Sequence, residues 1–367
     1  MFAASATRFP ALSVELKNVT RVVDGMTHIH PTNLSLQDRE FNVLLGATLS
    51  GKTTFLRLMA GLERPSSGEV WFSGQNVTSV SVQKRNIAMV YQDFINYPNF
   101  SVFENIASPL KVAGKKPDQI NQEVGKMAEL LKLSEFLDRD VASLSGGQQQ
   151  RIALARALVK KASLVLLDEP LANLDYKLRE QLREELPRLF AASGSTVVYA
   201  TSEPEEALML GGHTAMLYEG KVMQYGKTTD IYRHPGNLES ARIFSHPPIN
   251  VTTVVKSSDM MAIPGIANWQ CPESFSSRPN GEYLLGVRPH HLSLANLEGS
   301  DNHIPVSGTV QLAEISGSTS LIHMRINDSD WISESGGIHA YSIGESINVY
   351  MHLDGCLYFN RDGSAIH

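Results

Sequence analysis

The chain has 367 residues, is 42% hydrophobic and 19% charged, and carries a formal net charge of −6. That length and composition fit a globular protein with room for two domains and a sizeable buried core. The acidic balance, with no basic block, argues against a nucleic-acid partner, and no apolar run approaches the roughly 18 residues that span a bilayer.

In chain order, "MFAASATRFPALSV" meets Arg8 and Pro10 too soon to form the apolar run of a secretory signal. "EFNVLLG" reads as a buried strand and "KTTFLRLMAGL" as the helix after it. "NIAMVYQ" is a further strand. "SVFENIASPLKVAG", "PDQINQEVGKMAELLKL" and "GGQQQRIALARALVKK" have helical periodicity. "ASLVLLDE" and "STVVYAT" are short and fully apolar, as strands buried on both faces of a parallel sheet are. The alternation is an α/β pattern, interrupted by a mostly helical run over about 92–144 that reads as an inserted helical subdomain. Pro187 is expected to kink or end its helix.

After about Phe244 the texture changes. "YLLGVRPHHLSL", "VSGTVQLAEIS", "SLIHMRI" and "SINVYMHL" are short alternating runs punctuated by Gly, Asn, Asp and Ser, an all-β reading of small barrels. The expected organisation is an α/β domain over 1–243 and a β-rich domain over 244–367. Cys271 and Cys356 are far apart in no metal-ligand spacing, and read as two ordinary buried thiols of a reducing compartment. Adjacent strand residues point to opposite faces, so His290 and His291 are not expected to share a metal.

Three motifs carry chemistry. "GATLSGKT", Gly46 to Thr53, fits G-x-x-x-x-G-K-[ST] between a strand and a helix, the context in which loop amides and a helix N-terminus wrap phosphates. Lys52 would reach the β- and γ-phosphates, and Thr53 would hold Mg²⁺. "LVLLDEP" ends an apolar strand in two acids: Asp168 is suited to hold Mg²⁺, and Glu169 to orient and deprotonate an attacking water. "LSGGQ" opens a long helix, so Ser145 and the following glycine amides form a second anion site. Either of the last two alone is a common turn or cap. Their order after a phosphate loop gives them weight.

With these motifs in the order "GATLSGKT", "YQDF", "LSGGQQQR", "LVLLDEP", "LANLD", the chain resembles the ATP-binding cassette ATPases over roughly residues 12–240. The resemblance implies a P-loop NTPase cassette. ATP would be held by Gly46, Ala47, Thr48, Leu49, Ser50, Gly51, Lys52, Thr53 and Thr54, and Mg²⁺ by Thr53, Gln92 and Asp168. Gln92 would sense the metal and the attacking water, with Glu169 as catalytic base. In that family two cassettes meet head to tail, so Ser145, Gly146, Gly147 and Gln148 would complete a partner's ATP site, and Asp175 would lie in the loop that crosses to it. "YQDFINYPNFSVFENI" would lie where a membrane partner docks. The tail, with "LLGVRPHHLSL", resembles the OB-like extension of sugar, polyol and glycerol-phosphate importer ATPases. "FINYP" and "YATSEPEEA" resemble the glycerol-importer branch. The implied partners are a second ATPase subunit, two transmembrane permease subunits and, indirectly, an extracytoplasmic solute-binding protein. The implied location is peripheral, on the cytoplasmic face of the inner membrane. Soluble cassette proteins of translation or repair are the alternative; they usually carry two cassettes or a long coiled-coil insert, and neither is in this sequence.

Three positions depart from the family pattern. Val23 stands where an aromatic usually stacks on adenine. Leu49 replaces a usual glycine in the phosphate loop. Ser202 replaces the histidine that contacts the γ-phosphate, and its short hydroxyl carries no positive charge. His213, the nearest other histidine, reads as a structural or surface residue at the start of the next strand. Two readings follow: ordinary hydrolysis by another geometry, or a weakened site in a chain whose signature serves a second, complete ATPase. Val23 and Ser202 belong to the chain's own site, whereas "LSGGQ" belongs to the partner's, and that division favours the weakened site in a heterodimer over a homodimer. A nearly inactive pairing subunit is the extreme form of the same reading.

Overall fold

The computed structural model describes residues 13–275, 277–294 and 302–366, so the opening segment read above for a signal lies outside it. The chain divides into two compact units between Thr229 and Asp230.

In the first unit, β1 (Val14–Val23) and β2 (Met26–Leu36) form an antiparallel hairpin turned by Asp24 and Gly25, at φ of 50° and 78°. A two-residue turn with both φ positive matches the twist of the flanking strands. β3 (Phe41–Leu45) is buried along its length and leads into α1 (Lys52–Ala60). β4 (Ser67–Phe72) and β5 (Gln75–Asn76) complete an antiparallel sheet of order β2-β1-β4-β5, which the sequence reading did not anticipate as a separate layer. Next come β6 (Ile87–Val90), α2 (Val102–Val112), α3 (Pro117–Leu130), α4 (Gly146–Val159), β7 (Leu164–Asp168), α5 (Tyr176–Ser193), β8 (Thr196–Thr201), α6 (Pro204–Leu210), β9 (His213–Tyr218) and β10 (Lys221–Lys227). The second sheet has the order β10-β9-β3-β8-β7-β6 and is parallel except for β10 at one edge.

Phe55, Leu56 and Met59 of α1 lie in one core with Leu44, Leu166 and Val198 of the parallel sheet and Leu16, Val19 and Ile29 of the antiparallel one. Helix α1 is thereby fixed between two sheets, and its N-terminal loop sits at the carboxyl ends of the parallel strands, where open α/β sheets bind ligands. Helices α2 and α3 pack on each other and on α4, and α2 starts with a reciprocal Ser101–Glu104 capping box.

One expectation needs correction here. Helix α5 continues through Pro187 instead of ending there. Leu182, Leu186 and Phe190 are buried along one stripe, and Phe190 packs edge-on against Phe41 with ring centroids 5.6 Å apart. That packing outweighs the one backbone hydrogen bond proline removes. The first compact unit ends at Thr229. α7 (Thr228–Arg233) precedes α8 (Leu238–Ile243), and α8 shares an apolar cluster with Ile249 and Phe359 of the C-terminal unit.

The second unit is all-β after α8. Its strands are β11 (Asn250–Ser257), β12 (Met260–Ile263), β13 (Ala267–Gln270), β14 (Gly281–Val287), β15 (Leu292–Ser293), β16 (His303–Ile315), β17 (Thr319–Ile326), β18 (Ser329–Gly336), β19 (Ser346–His352), β20 (Leu357–Phe359) and β21 (Ala365–Ile366). They form antiparallel sheets of order β13-β12-β11-β14-β20-β21 and β15-β19-β16-β17-β18. Val254, Trp269 and Leu285 of the first share a core with Val306, Ile322 and Trp331 of the second. Pro289, His290 and His291 form a 3-10 turn, not a strand, because Pro289 sets the turn and cannot donate to a ladder. The two imidazoles therefore sit on the same side, with ring centroids 4.3 Å apart. Cys271 and Cys356 are free and half-buried, and burial raises both thiols above their usual range.

Candidate functional site

The loop from Gly46 to Gly51 closes tightly between β3 and α1. A side chain on Gly46 would meet the Leu217 carbonyl at 2.4 Å and Ser50 Oγ at 2.5 Å, so only glycine fits. Gly51 caps α1 at φ 102°, against Ile29 of β2. Leu49 adopts φ 69° and is 94% exposed, so the loop takes a left-handed turn at a residue other than glycine while its apolar side chain stays in solvent.

Lys52 is buried, and its Nζ donates to the carbonyls of Gly46 at 2.8 Å and Ala47 at 3.0 Å. It lies 3.6 Å from Glu169 Oε1. Burial lowers its ammonium below the ordinary value, and the charge of Glu169 opposes that shift. Thr53 Oγ1 donates to Asp168 Oδ1 at 3.2 Å. Asp168 is itself buried, which raises its carboxyl, with the Thr53 hydrogen bond acting the other way. Glu169 follows at φ 46°, its N–H donating to Ala200 O at 3.0 Å, and its Oε2 accepts from Gln92 Nε2 at 3.3 Å. Lys52 and Thr53, Gln92 and Glu169, from three separated segments, thus meet at one cavity of about 690 Å³, while Asp168 lines a second one with Thr53 and Gln92.

That cavity is lined by Thr48, Leu49, Gly51, Lys52, Thr53, Thr54, Gln92 and Glu169. Gly46, Ala47, Ser50, Val23, Asp168 and Ser202 are not in its lining. The sequence reading missed Met26, His28 and His30 of β2, and Glu219 with Gly220, which do line it. The signal was present: Ile29 is buried while His28 and His30 flank it on an alternating strand, which puts both on the opposite face.

Ser202 is exposed just beyond β8, and a buried network braces the turn behind it. Glu206 accepts hydrogen bonds from Tyr199 (3.0 Å) and Thr201 (2.7 Å), and pairs with Arg183 at 3.2 Å. Arg183 also reaches Glu203 at 2.7 Å and Glu180 at 2.6 Å. Glu206→Ala is expected to destabilise the fold by about 2–3 kcal/mol, since it strips buried donors of their acceptor. A denaturant midpoint measures this, and an unchanged midpoint would remove the network from the account. His213 pairs with Glu40 at 2.9 Å and stacks beside Tyr225, away from this turn.

The residues expected to form a second anion site lie elsewhere on the same unit. Ser145 caps α4 in a reciprocal box with Gln148: Gln148 N–H donates to Ser145 Oγ at 3.4 Å and Ser145 N–H to Gln148 Oε1 at 2.9 Å. Gly146 and Gly147 are the first helical residues, with their amides at the positive end of the helix dipole. Gly147 lies beside the Asn173 carbonyl, and Gln150 Nε2 donates to Pro170 O at 2.8 Å, which ties α4 to the loop after Glu169. Asp175 caps α5 by accepting from Leu178 N–H at 3.0 Å.

A phosphate loop at the carboxyl ends of a parallel sheet, an Asp–Glu pair at the end of β7 and a serine-capped helix that opens on two glycines define a nucleotide-hydrolysing cassette. The family model described as ABC transporter matches residues 29–172, and that described as TOBE domain matches residues 285–359. The chain belongs to the ABC transporter family, as an ATP-hydrolysing subunit of the sugar-importer type with a C-terminal OB-like domain. It is 34% identical over 364 residues to the maltose/maltodextrin import ATP-binding protein MalK of Escherichia coli (strain K12), covering 96% of this chain and 97% of the relative. Identity to the protein of that name from Salmonella typhimurium (strain LT2) is 33% over 361 residues, with the same coverage. Among solved structures it is similar to the dimeric ATP-binding cassette MJ0796 in a post-hydrolysis state with ADP and Pi. That match has a TM-score of 0.55 and 28% identity, and covers 59% of this chain and 98% of the other.

Proposed function

We propose that the chain binds Mg-ATP at its own phosphate loop but turns it over slowly, while its α4 signature completes the site of a second, more complete ATPase. The observation that carries this reading is the pairing of an assembled constellation, Lys52, Thr53, Gln92, Asp168 and Glu169, with a serine at position 202.

The residues present suit the nucleotide and its metal. Ser50 Oγ is buried without a hydrogen-bond partner, as an atom awaiting a ligand is. The loop leaves no room for a side chain at Gly46. Asp168 and Thr53 offer two oxygens for Mg²⁺, with Gln92 nearby. Bound Mg²⁺ would neutralise phosphate charge. Lys52 would exchange loop carbonyls for phosphate oxygens, and Glu169, positioned by Gln92, would accept the proton of the attacking water. Ser202 offers no cation to the γ-phosphate.

The solute is a sugar, polyol or glycerol-type molecule. The maltose relatives support the sugar class, and the "FINYP" and "YATSEPEEA" stretches support the glycerol branch. Two transmembrane permease subunits would dock where Leu62, Ile95, Tyr97 and Phe100 are exposed beside a 320 Å³ cavity that reaches Gln92 and Asp168. The protein would then sit peripherally on the cytoplasmic face of the inner membrane. Among the described residues no helix is long and apolar enough to cross a membrane.

Lys52→Ala tests the nucleotide site itself. It is expected to weaken ATP binding at least about 100-fold, the scale of one charge-assisted phosphate contact in a buried site. A fluorescent-nucleotide titration reads this. Unchanged affinity in a folded variant would mean that the loop is not the ATP site.

A further inference from the structure

The C-terminal unit holds a second cavity, of about 550 Å³, lined by Arg233, Arg288, His291, His303 and His352 among others. These side chains come from α7, the 3-10 turn after β14, β16 and β19, segments far apart in sequence. Arg288 is 3% exposed, with its guanidinium 4.0 Å from the Tyr232 ring centroid and one amino group donating to Tyr232 O; its Nε has no partner. His303 Nδ1 is also buried and unpartnered, and the His303 and His352 rings stand 4.2 Å apart. His291 lies flat against Gly355, where any side chain would fall 2.3 Å from its Nδ1.

The walls therefore crowd cations and protonatable rings together. Burial, with the charges of Arg288 and His290, pushes His291 down to about 4. Burial and His303 lower His352 as well. Against them stands one lining carboxylate, Asp354, whose oxygens accept from Asn302 Nδ2 at 3.1 and 3.2 Å. Tyr232 and His234 complete the titratable groups of the lining, and His290 reaches the Tyr232 hydroxyl at 3.4 Å. Among the described residues these groups do not form a set arranged to hold a metal ion. A concave site lined by two arginines and several imidazoles, with a single carboxylate among them, suits an anion.

We propose that this cavity binds a phosphomonoester with a small hydroxylated body. Donors converge from several segments, which suits three terminal phosphate oxygens better than the two of a carboxylate. The volume exceeds what phosphate alone fills. The remaining wall includes Asn302, Asp354, Gly355 and Leu357.

Calorimetric titration of the full chain, with its phosphate loop filled by saturating ADP, tests the assignment with glucose 6-phosphate, inorganic phosphate and glucose as probes. Saturable binding of the ester is expected, at least tenfold tighter than inorganic phosphate and absent for glucose. Arg233→Gln and His303→Gln, each checked for an unchanged melting temperature, should each weaken it about tenfold or more. No saturable binding of the ester, equal binding of inorganic phosphate, or binding indifferent to both substitutions would overturn the proposal.

Discussion

Ser202→His is expected to raise the Mg-ATP turnover of the purified chain, concentrated enough to pair with itself, by about 10²-fold. One preorganised donor aimed at developing transition-state charge contributes about 10²–10³ in rate, and this is the group the site lacks. The rest of the apparatus stands: Glu169 is held by Gln92 at 3.3 Å and Asp168 by Thr53 at 3.2 Å. Position 202 is exposed at the end of β8, so an imidazole enters without displacing core. The Glu206 network keeps the turn in place behind it. The gain should appear in kcat with little change in ATP affinity, because the contact matters most in the transition state. A folded variant with an unchanged rate would show that Ser202 is not what limits the site.

Gly146→Asp is expected to cut turnover at least about 10²-fold in an assembly with the second ATPase, while leaving ATP bound at this chain's own loop. A side chain at Gly146 meets nothing closer than Phe94 at 3.9 Å, so the substitution fits the fold. Its carboxylate would sit at the positive end of α4, where the partner's γ-phosphate is proposed to bind, and would repel it in a site of low dielectric. Gly146→Ala, which adds the carbon without the charge, separates electrostatics from shape. Phosphate release from the mixed assembly is the readout. Unimpaired turnover with Gly146→Asp would mean that this signature does not complete the partner's site.

The elements that position the phosphate loop were legible because their signals are local. β3, β7 and β8 are short, largely apolar runs, α1 follows a capping glycine, and α4 starts at a glycine after a capping serine. The antiparallel β2-β1-β4-β5 sheet was not read as a layer, since β1 and β4, whose pairing joins its two local hairpins, are separated in sequence by β2, β3, the phosphate loop and α1. Pro187 misled because helix-breaking is a local cost, while the buried Leu182, Leu186 and Phe190 stripe is a long-range gain. His290 and His291 misled through an assumed strand that Pro289 turns into a 3-10 segment. The motif residues of the loop were named from spacing alone, but His28 and His30 had no motif to point to them and entered only once β2 was seen along the cavity.

The most direct measurement is steady-state Mg-ATP turnover of this chain alone, at a concentration where it pairs, with bound nucleotide counted in the same sample. One ATP held per chain and a rate far below about 1 s⁻¹, the lower end of ordinary enzyme turnover, are expected. A rate at or above that value would contradict this expectation, and would mean that the chain's own site hydrolyses ATP competently without a histidine at position 202.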